Sequence, residues 1–153
     1  MNELKYIPGD LVMTNGVPLG TSKNVVYRVA ASDPSKTLEL DDGTILKGAV
    51  RLENYEAKEI GDKGYLSGDY GAWIKDIVPI PLTPKILEKN GWKLSYGFYW
   101  SPNEEGAEVG LSSQTGYVWE AYIRRHPLRS NINSVSDLQH LLFGLGLNSE
   151  MEV

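Results

Sequence analysis

The sequence contains no cysteine and only two histidines, His126 and His140. Without cysteine, the chain has no disulfides, thiolate metal sites or cysteine nucleophiles. Two histidines are too few for a His-rich metal cage, although carboxylates could still bind a hard cation. We therefore expect no cofactor and no metal centre.

Long apolar runs are also missing. The longest, Leu141 to Leu147, is interrupted by Gly144 and Gly146, whereas a membrane helix needs about 18–20 apolar residues. The first residues lack the basic start and apolar stretch of a secretory signal. We therefore expect a soluble, cytoplasmic protein without membrane contact.

The aromatic residues are unevenly distributed among types, with nine tyrosines and four tryptophans against two phenylalanines. Tyrosine and tryptophan combine a large apolar surface with a polar tip, so they suit half-exposed sheet faces. Sixteen glycines and eight prolines indicate many turns. The composition predicts a β-rich α+β fold with short strands.

Residues 1–78 have the pattern of strands and turns and predict a small, barrel-like β-lobe, either a small barrel or a strongly bent sheet. The expected strands are at residues 11–13, 25–30, 49–52 and 73–78, and residues 38–46 predict a tight hairpin around Asp-Gly. Asp41-Asp42-Gly43 could suggest a cation loop, but it lacks the further spaced oxygens that such a site requires. A tight hairpin turn is the preferred interpretation.

Residues 79–84 form a proline-rich connector, and residues 85–153 predict an α-β-β-β-α lobe, which could pack with the first lobe as one unit. Thr83 and Pro84 resemble a helix start, and Asn90-Gly91 a left-handed helix end. Ser134 with Asp137 predicts the start of a second helix, which ends near Gly146. The final residues are expected to fray.

Between the helices, alternation predicts a three-stranded antiparallel meander with one aromatic face. Its predicted inward row comprises Tyr96, Phe98, Trp100, Tyr117 and Trp119. We expect the two helices to cover this row, although such rings could instead stack on bases or sugars. Tyr99 and Tyr122 fall on the opposite face and are predicted to be exposed contact residues.

The connector after the meander is basic and contains Arg124, Arg125, His126 and Arg129. Arginine forks could bind phosphate or a carboxylate there, so these residues form a candidate anion- or partner-binding site. A solvated loop balanced by nearby acidic residues is the preferred interpretation.

Two segments carry a family resemblance. Residues 80–92, Ile-Pro-Leu-Thr-Pro-Lys-Ile-Leu-Glu-Lys-Asn-Gly-Trp, and residues 135–141, Val-Ser-Asp-Leu-Gln-His-Leu, resemble capped helices of short proteins of unknown function from gut bacteria and their phages or mobile elements. The resemblance covers roughly residues 72–148. Ser136 stands where that pattern has histidine. The resemblance implies a fold order and a genomic setting, and it implies no catalytic residue.

The sequence lacks Gly-x-Ser-x-Gly, a glycine-rich phosphate loop and His-Glu-x-x-His. Asp137 and His140 could form an acid–base pair one helical turn apart, but a helix cap explains Asp137 better. We therefore predict a non-enzymatic binding or adaptor protein with a protein partner or a homodimer. A nucleic-acid-associated β-module is the alternative, disfavoured by the net charge of −5. An enzyme with an unrecognised site is a third interpretation.

Overall fold

A computed structural model describes residues 5–68, 70–102, 108–123 and 126–153. Its contacts divide the chain into two compact units, Met1–Ile80 and Pro81–Val153. Each unit has one five-stranded antiparallel sheet, and the second also has two short helices. The predicted β-rich α+β class is therefore confirmed.

The first unit is a single sheet in which the last two strands lie at opposite edges. Its strands are β1 (Leu11–Thr14), β2 (Tyr27–Glu39), β3 (Ile45–Asn54), β4 (Tyr70–Trp73) and β5 (Ile77–Val78). The hydrogen-bonded order is β4-β3-β2-β1-β5. Strands β4 and β5 are consecutive in the chain, but they lie at opposite edges of the sheet, β4 beside β3 and β5 beside β1.

A single turn of 3-10 helix, Ile74–Asp76, joins these two strands. The prediction of one continuous strand over residues 73–78 was therefore wrong. The chain from Trp73 to Ile77 can span at most about 14 Å, whereas the edges of a flat five-stranded sheet lie roughly 19 Å apart. The sheet must therefore curl, and within the described part of the chain β4 and β5 are not paired to close it into a barrel.

Tyr27 lies fully buried inside this curl. Its hydroxyl donates to the Gly64 carbonyl at 2.7 Å and accepts from the Ser22 amide at 3.0 Å. Burial raises the pKa of Tyr27 above its ordinary value. One side chain thus joins the two long loops of the unit. The apolar core around it comprises Tyr6, Val12, Val25, Val29, Val50, Leu52, Leu66, Ala72 and Ile77.

The second unit is a meander between two helices. Its elements are α1 (Pro84–Lys89), β6 (Lys93–Ser95), β7 (Phe98–Trp100), β8 (Val109–Ser112), β9 (Trp119–Ile123), β10 (His126–Ile132) and α2 (Val135–Gly144). The sheet order β10-β9-β8-β7-β6 follows the chain. The predicted three-stranded meander therefore has five strands, because residues 93–100 form a hairpin and residues 126–132 pair with β9.

Helix α1 begins and ends as the sequence predicts. The Thr83 hydroxyl accepts from the Ile86 amide at 3.3 Å. Gly91 has φ +84°, and the Trp92 amide donates to the Leu87 carbonyl at 3.0 Å. This six-residue bond across a left-handed glycine is a Schellman motif, which satisfies carbonyl groups that the helix end leaves open.

Helix α2 begins with a reciprocal cap. The Ser134 hydroxyl accepts from the Asp137 amide at 3.1 Å, and Asp137 Oδ2 accepts from the Asn133 amide at 3.0 Å. Gly146, at φ +73°, follows the last turn. The predicted cap residues of the second helix are thus confirmed.

The C-terminal tail is held against the end of α1. Asn90 Nδ2 donates to the Glu152 carbonyl at 2.7 Å, and the Glu152 amide donates back to Asn90 Oδ1 at 2.8 Å. Lys89 Nζ donates to the Val153 carbonyl at 2.9 Å, and Met151 is buried. The prediction of a frayed tail was therefore wrong, because paired backbone groups and a buried side chain fix it.

Candidate binding site on the outer face of the second sheet

The strand register assigns the aromatic side chains of the second unit to two faces. Tyr99 pairs with Leu111, and Leu111 pairs with Ala121. Trp119 is two residues from Ala121, so Tyr99 and Trp119 share one face. These residues are all buried, and this side of the sheet is the inner face.

Trp119 is a core residue of the unit, with 2% of its surface exposed. Its Nε1 donates to the Leu82 carbonyl, just before α1, at 2.9 Å. Its ring meets that of Tyr99 edge to face, with centroids 5.8 Å apart. The prediction that Tyr99 is an exposed contact residue was therefore wrong. The helices contribute buried side chains to the same unit, namely Leu87, Leu138 and Leu142.

The predicted inward row is thus divided. Trp119 is buried as predicted, but Phe98 and Trp100 lie on the other face and are half-exposed. Tyr96 and Tyr117 lie outside the strands and are 98% and 71% exposed. Neither side chain contributes to the covered face.

The outer face carries a group of three half-exposed rings, Phe98, Trp100 and Tyr122, which we call the outer aromatic cluster. Trp100 pairs with Gly110, and Gly110 pairs with Tyr122, so these positions form one row across β7, β8 and β9. The Phe98 ring lies 5.5 Å from the Trp100 ring and 5.6 Å from the Tyr122 ring, edge-on to the latter. The predicted surface aromatic Tyr122 thus belongs to a cluster.

Gly110 determines how Trp100 lies on the sheet. A Cβ atom at Gly110 would stand 3.0–3.3 Å from three atoms of the six-membered ring of the indole. Three nearly equal distances mean that the ring lies flat across the glycine, with one side against the strand. The indole Nε1 donates to the Ser95 carbonyl at 3.1 Å and fixes the ring in its plane.

A carboxylate lies beside the cluster. Glu120 precedes Tyr122 by two residues on β9 and therefore shares its face, and its side chain is exposed. The Tyr122 hydroxyl donates to Glu120 Oε2 at 2.6 Å, and this bond raises the pKa of Tyr122. Glu120 pairs with Ser112, and Lys93 pairs with Trp100 at the sheet edge. The outer face thus combines flat aromatic surface with a hydrogen-bond acceptor.

The basic connector is only partly described by the structure. Arg124 and Arg125 lie outside the described residues. His126 and Arg129 lie exposed on β10. Arg129 Nη2 lies 3.6 Å from Asp137 Oδ1, so this guanidinium pairs with the start of α2. Of the predicted anion site, the described residues thus show one exposed histidine and one arginine beside an acid.

Two aspartates that the sequence offered as candidates for chemistry, Asp137 and Asp42, take part in local hydrogen bonds. The Asp137 carboxylate accepts a hydrogen bond from the Asn133 amide and lies beside Arg129. It is therefore engaged at the start of helix α2. Asp42 accepts from the Thr44 amide at 2.9 Å within the hairpin turn, which lowers the Asp42 pKa. Among the residues that the structure describes, no group of three or more acidic or histidine side chains could hold a metal ion.

Sequence reasoning missed the stacking of Trp100 on Gly110. The available signal was a glycine inside the apolar stretch Val109-Gly110-Leu111, because glycine within a strand often marks the close approach of another group. Alternation along one strand could not identify the stacked ring, because it does not show which residue of the neighbouring strand faces the glycine.

No family model matches the chain, and no curated protein or solved structure matches it. Neither helix in the described part of the chain combines the length and the apolar character needed to cross a membrane.

Proposed function

We propose that this protein is a non-enzymatic binding protein and that the outer aromatic cluster is its contact surface. The observation that carries the proposal is the position of Trp100. Its indole lies flat on Gly110, is fixed by the bond to Ser95, and remains half-exposed. Part of an indole ring is therefore held at the protein surface in one orientation.

Such a ring favours binding for two physical reasons. Tryptophan and tyrosine supply large contact areas and are the residues most enriched among binding hot spots. A ring that is already fixed loses little conformational freedom when a second molecule covers it, so less of the contact energy is lost. The non-enzymatic character is proposed because the sequence lacks recognised catalytic motifs.

The test uses defined probes and one pair of matched variants. The wild-type protein is applied to arrays of neutral oligosaccharides, oligonucleotides and peptides, alongside Trp100→Ala and Tyr117→Ala. Tyr117 is the control because it is an exposed aromatic residue of the same unit. Circular dichroism verifies that all three proteins fold.

We expect at least one probe to bind the wild type and Tyr117→Ala equally, and to bind Trp100→Ala at least about tenfold more weakly. The proposal fails if no probe binds the wild type. It also fails if every bound probe keeps its affinity for Trp100→Ala.

Nucleic-acid association is the second candidate function. The flat indole favours it, because every base has a face that can stack on an aromatic ring. The exposed Glu120 on the same face and the net charge of −5 count against it. Binding to oligodeoxythymidylate that weakens steeply with added salt would support this alternative.

The setting and assembly of the protein are part of the proposal. The resemblance of residues 72–148 to short phage- or mobile-element-associated proteins supports a cytoplasmic adaptor of that origin.

A symmetric homodimer through the outer aromatic cluster is the alternative occupant of this face. Sedimentation that shows one dimeric species, converted to monomer by Trp100→Ala, would assign the face to self-association.

A further inference from the structure

We infer that the outer aromatic cluster binds a neutral saccharide, with one sugar ring stacked on the Trp100 indole and its hydroxyls directed to Glu120. This inference rests on the proposed function and names the chemical class that the surface recognises. Three observations carry it: the partial exposure of an indole whose inner side lies on Gly110, the acceptor beside it, and the charge of the face.

The indole offers one flat side. Gly110 lies against its inner side at contact distance, and the residue keeps part of its surface exposed beside the Phe98 ring. An aromatic face is negative, and it attracts weakly positive C–H and N–H groups. A sugar ring has a side lined with C–H groups, which fits such a surface without needing a deep pocket.

The acceptor beside the ring selects for hydroxyl donors. Glu120 has two carboxylate oxygens with about four acceptor positions, and the Tyr122 hydroxyl occupies one of them at Oε2. The same bond holds the exposed carboxylate next to the cluster. A carboxylate accepts hydrogen bonds and donates none, so its complement is a molecule rich in hydroxyl groups.

The charge of the face favours a neutral molecule. Glu120 lies on the same sheet face as the rings, and Lys93 is the cation that the described strands place opposite Trp100. The opposite charges of Glu120 and Lys93 give a polyanion no net attraction to this face, and the chain as a whole carries a net charge of −5 that repels phosphates. A neutral saccharide carries no such repulsion.

The size of the surface favours a small partner over a protein. Three half-buried rings expose on the order of 200 Å² together. A stable protein complex buries about 800 Å² on each partner, so a protein would need contacts far beyond this cluster. A few sugar rings match the cluster by itself.

The experiment is a calorimetric titration with neutral hexasaccharides of glucose, mannose, galactose and N-acetylglucosamine, each used separately, and with dodecadeoxythymidylate. The variants are Trp100→Ala, Glu120→Gln and Gly110→Ala, with Tyr117→Ala as the control. Gly110→Ala is the most specific probe, because its added methyl group would stand 3.0 Å from the indole, which must give way by a few tenths of an ångström. Thermal unfolding verifies that each variant folds.

We expect at least one hexasaccharide to bind the wild type and Tyr117→Ala alike. Trp100→Ala should weaken that binding at least about tenfold, and Gly110→Ala and Glu120→Gln should weaken it severalfold. If Gly110→Ala does not fold, the other two variants still decide the outcome.

Two results overturn the inference, and they differ in what they mean for the proposed function. If only the deoxythymidylate binds and depends on Trp100, the saccharide inference fails while the binding function stands. If no hexasaccharide binds, or if a hexasaccharide binds Trp100→Ala as tightly as the wild type, the saccharide inference fails. When no probe of any class depends on Trp100, the proposed function fails with it.

Discussion

The partly exposed aromatic rings of the two units differ in the groups that contact them. In the first unit, the Tyr55 ring has Arg28 at 5.1 Å and Lys58 at 5.5 Å, and Lys36 Nζ lies 5.9 Å from the Trp73 ring. In the second unit, the ring-to-ring contacts described for the outer aromatic cluster join Phe98 to Trp100 and to Tyr122. The described residues thus place cations over aromatic rings in the first unit and show ring-to-ring contacts in the second.

This difference shows why aromatic content alone does not identify a binding surface. A cation over a ring satisfies the negative aromatic face and shields it. A ring that lies flat on glycine keeps one side available. The open cluster, rather than the number of tyrosines and tryptophans, makes the second unit the site of the proposed function.

Replacing Trp119 and Trp100 separately tests the contrast between the two faces of the second sheet most strongly. Trp119→Ala should lower the free energy of unfolding by about 3–5 kcal/mol, because it leaves a large cavity and an unpaired Leu82 carbonyl. Trp100→Ala should cost much less, since that ring is half-exposed. Urea denaturation measures both, and equal losses would contradict the assignment of faces.

Removing the Tyr27 hydroxyl tests how the first unit holds its loops. Tyr27→Phe should lower the free energy of unfolding by about 1–3 kcal/mol, because the Gly64 carbonyl and the Ser22 amide lose their partner. Tyr96→Phe is the control, since Tyr96 is 98% exposed. A loss for Tyr27→Phe no larger than that of the control would show that the hydroxyl does not tie the loops.

The smallest expected effect concerns Tyr122 and pH. Its bond to Glu120 raises the Tyr122 pKa above the ordinary value of about 10. The stabilisation that this bond gives the folded state is therefore fully present below pH about 10. It is lost as the pH rises through the raised pKa of Tyr122. In an NMR titration of the tyrosine ring carbons, Glu120→Ala should lower the Tyr122 pKa. An unchanged pKa would show that Glu120 does not hold this hydroxyl.

The sequence predicted the helix ends well because they depend on local chemistry. Thr83 before Pro84, Ser134 three residues before Asp137, and a glycine after each helix act within one turn of chain. Such signals need no knowledge of distant residues. The β-rich α+β class likewise follows from turn residues and alternation that are visible in single segments.

The faces of the second sheet could not be predicted in the same way. Alternation shows which residues of one strand share a face, but the register between strands decides which faces coincide. Here Tyr96 and Gly97 adopt φ +52° and +82° and form a two-residue turn. Tyrosine is not a residue that such turns favour, so the sequence does not signal this hairpin. The grouping of Trp119 with Phe98 on one inward row was wrong because alternation does not give the register between strands.

The path from β4 to β5 in the first unit also governs when that sheet can be completed during synthesis. Strand β1 can pair with β2 early, but its other edge must wait for Ile77 and Val78, near the end of the unit. Until those residues leave the ribosome, β1 presents unpaired backbone groups, which are a template for a foreign strand. The second unit avoids this delay, because each of its strands pairs with the strand made just before it.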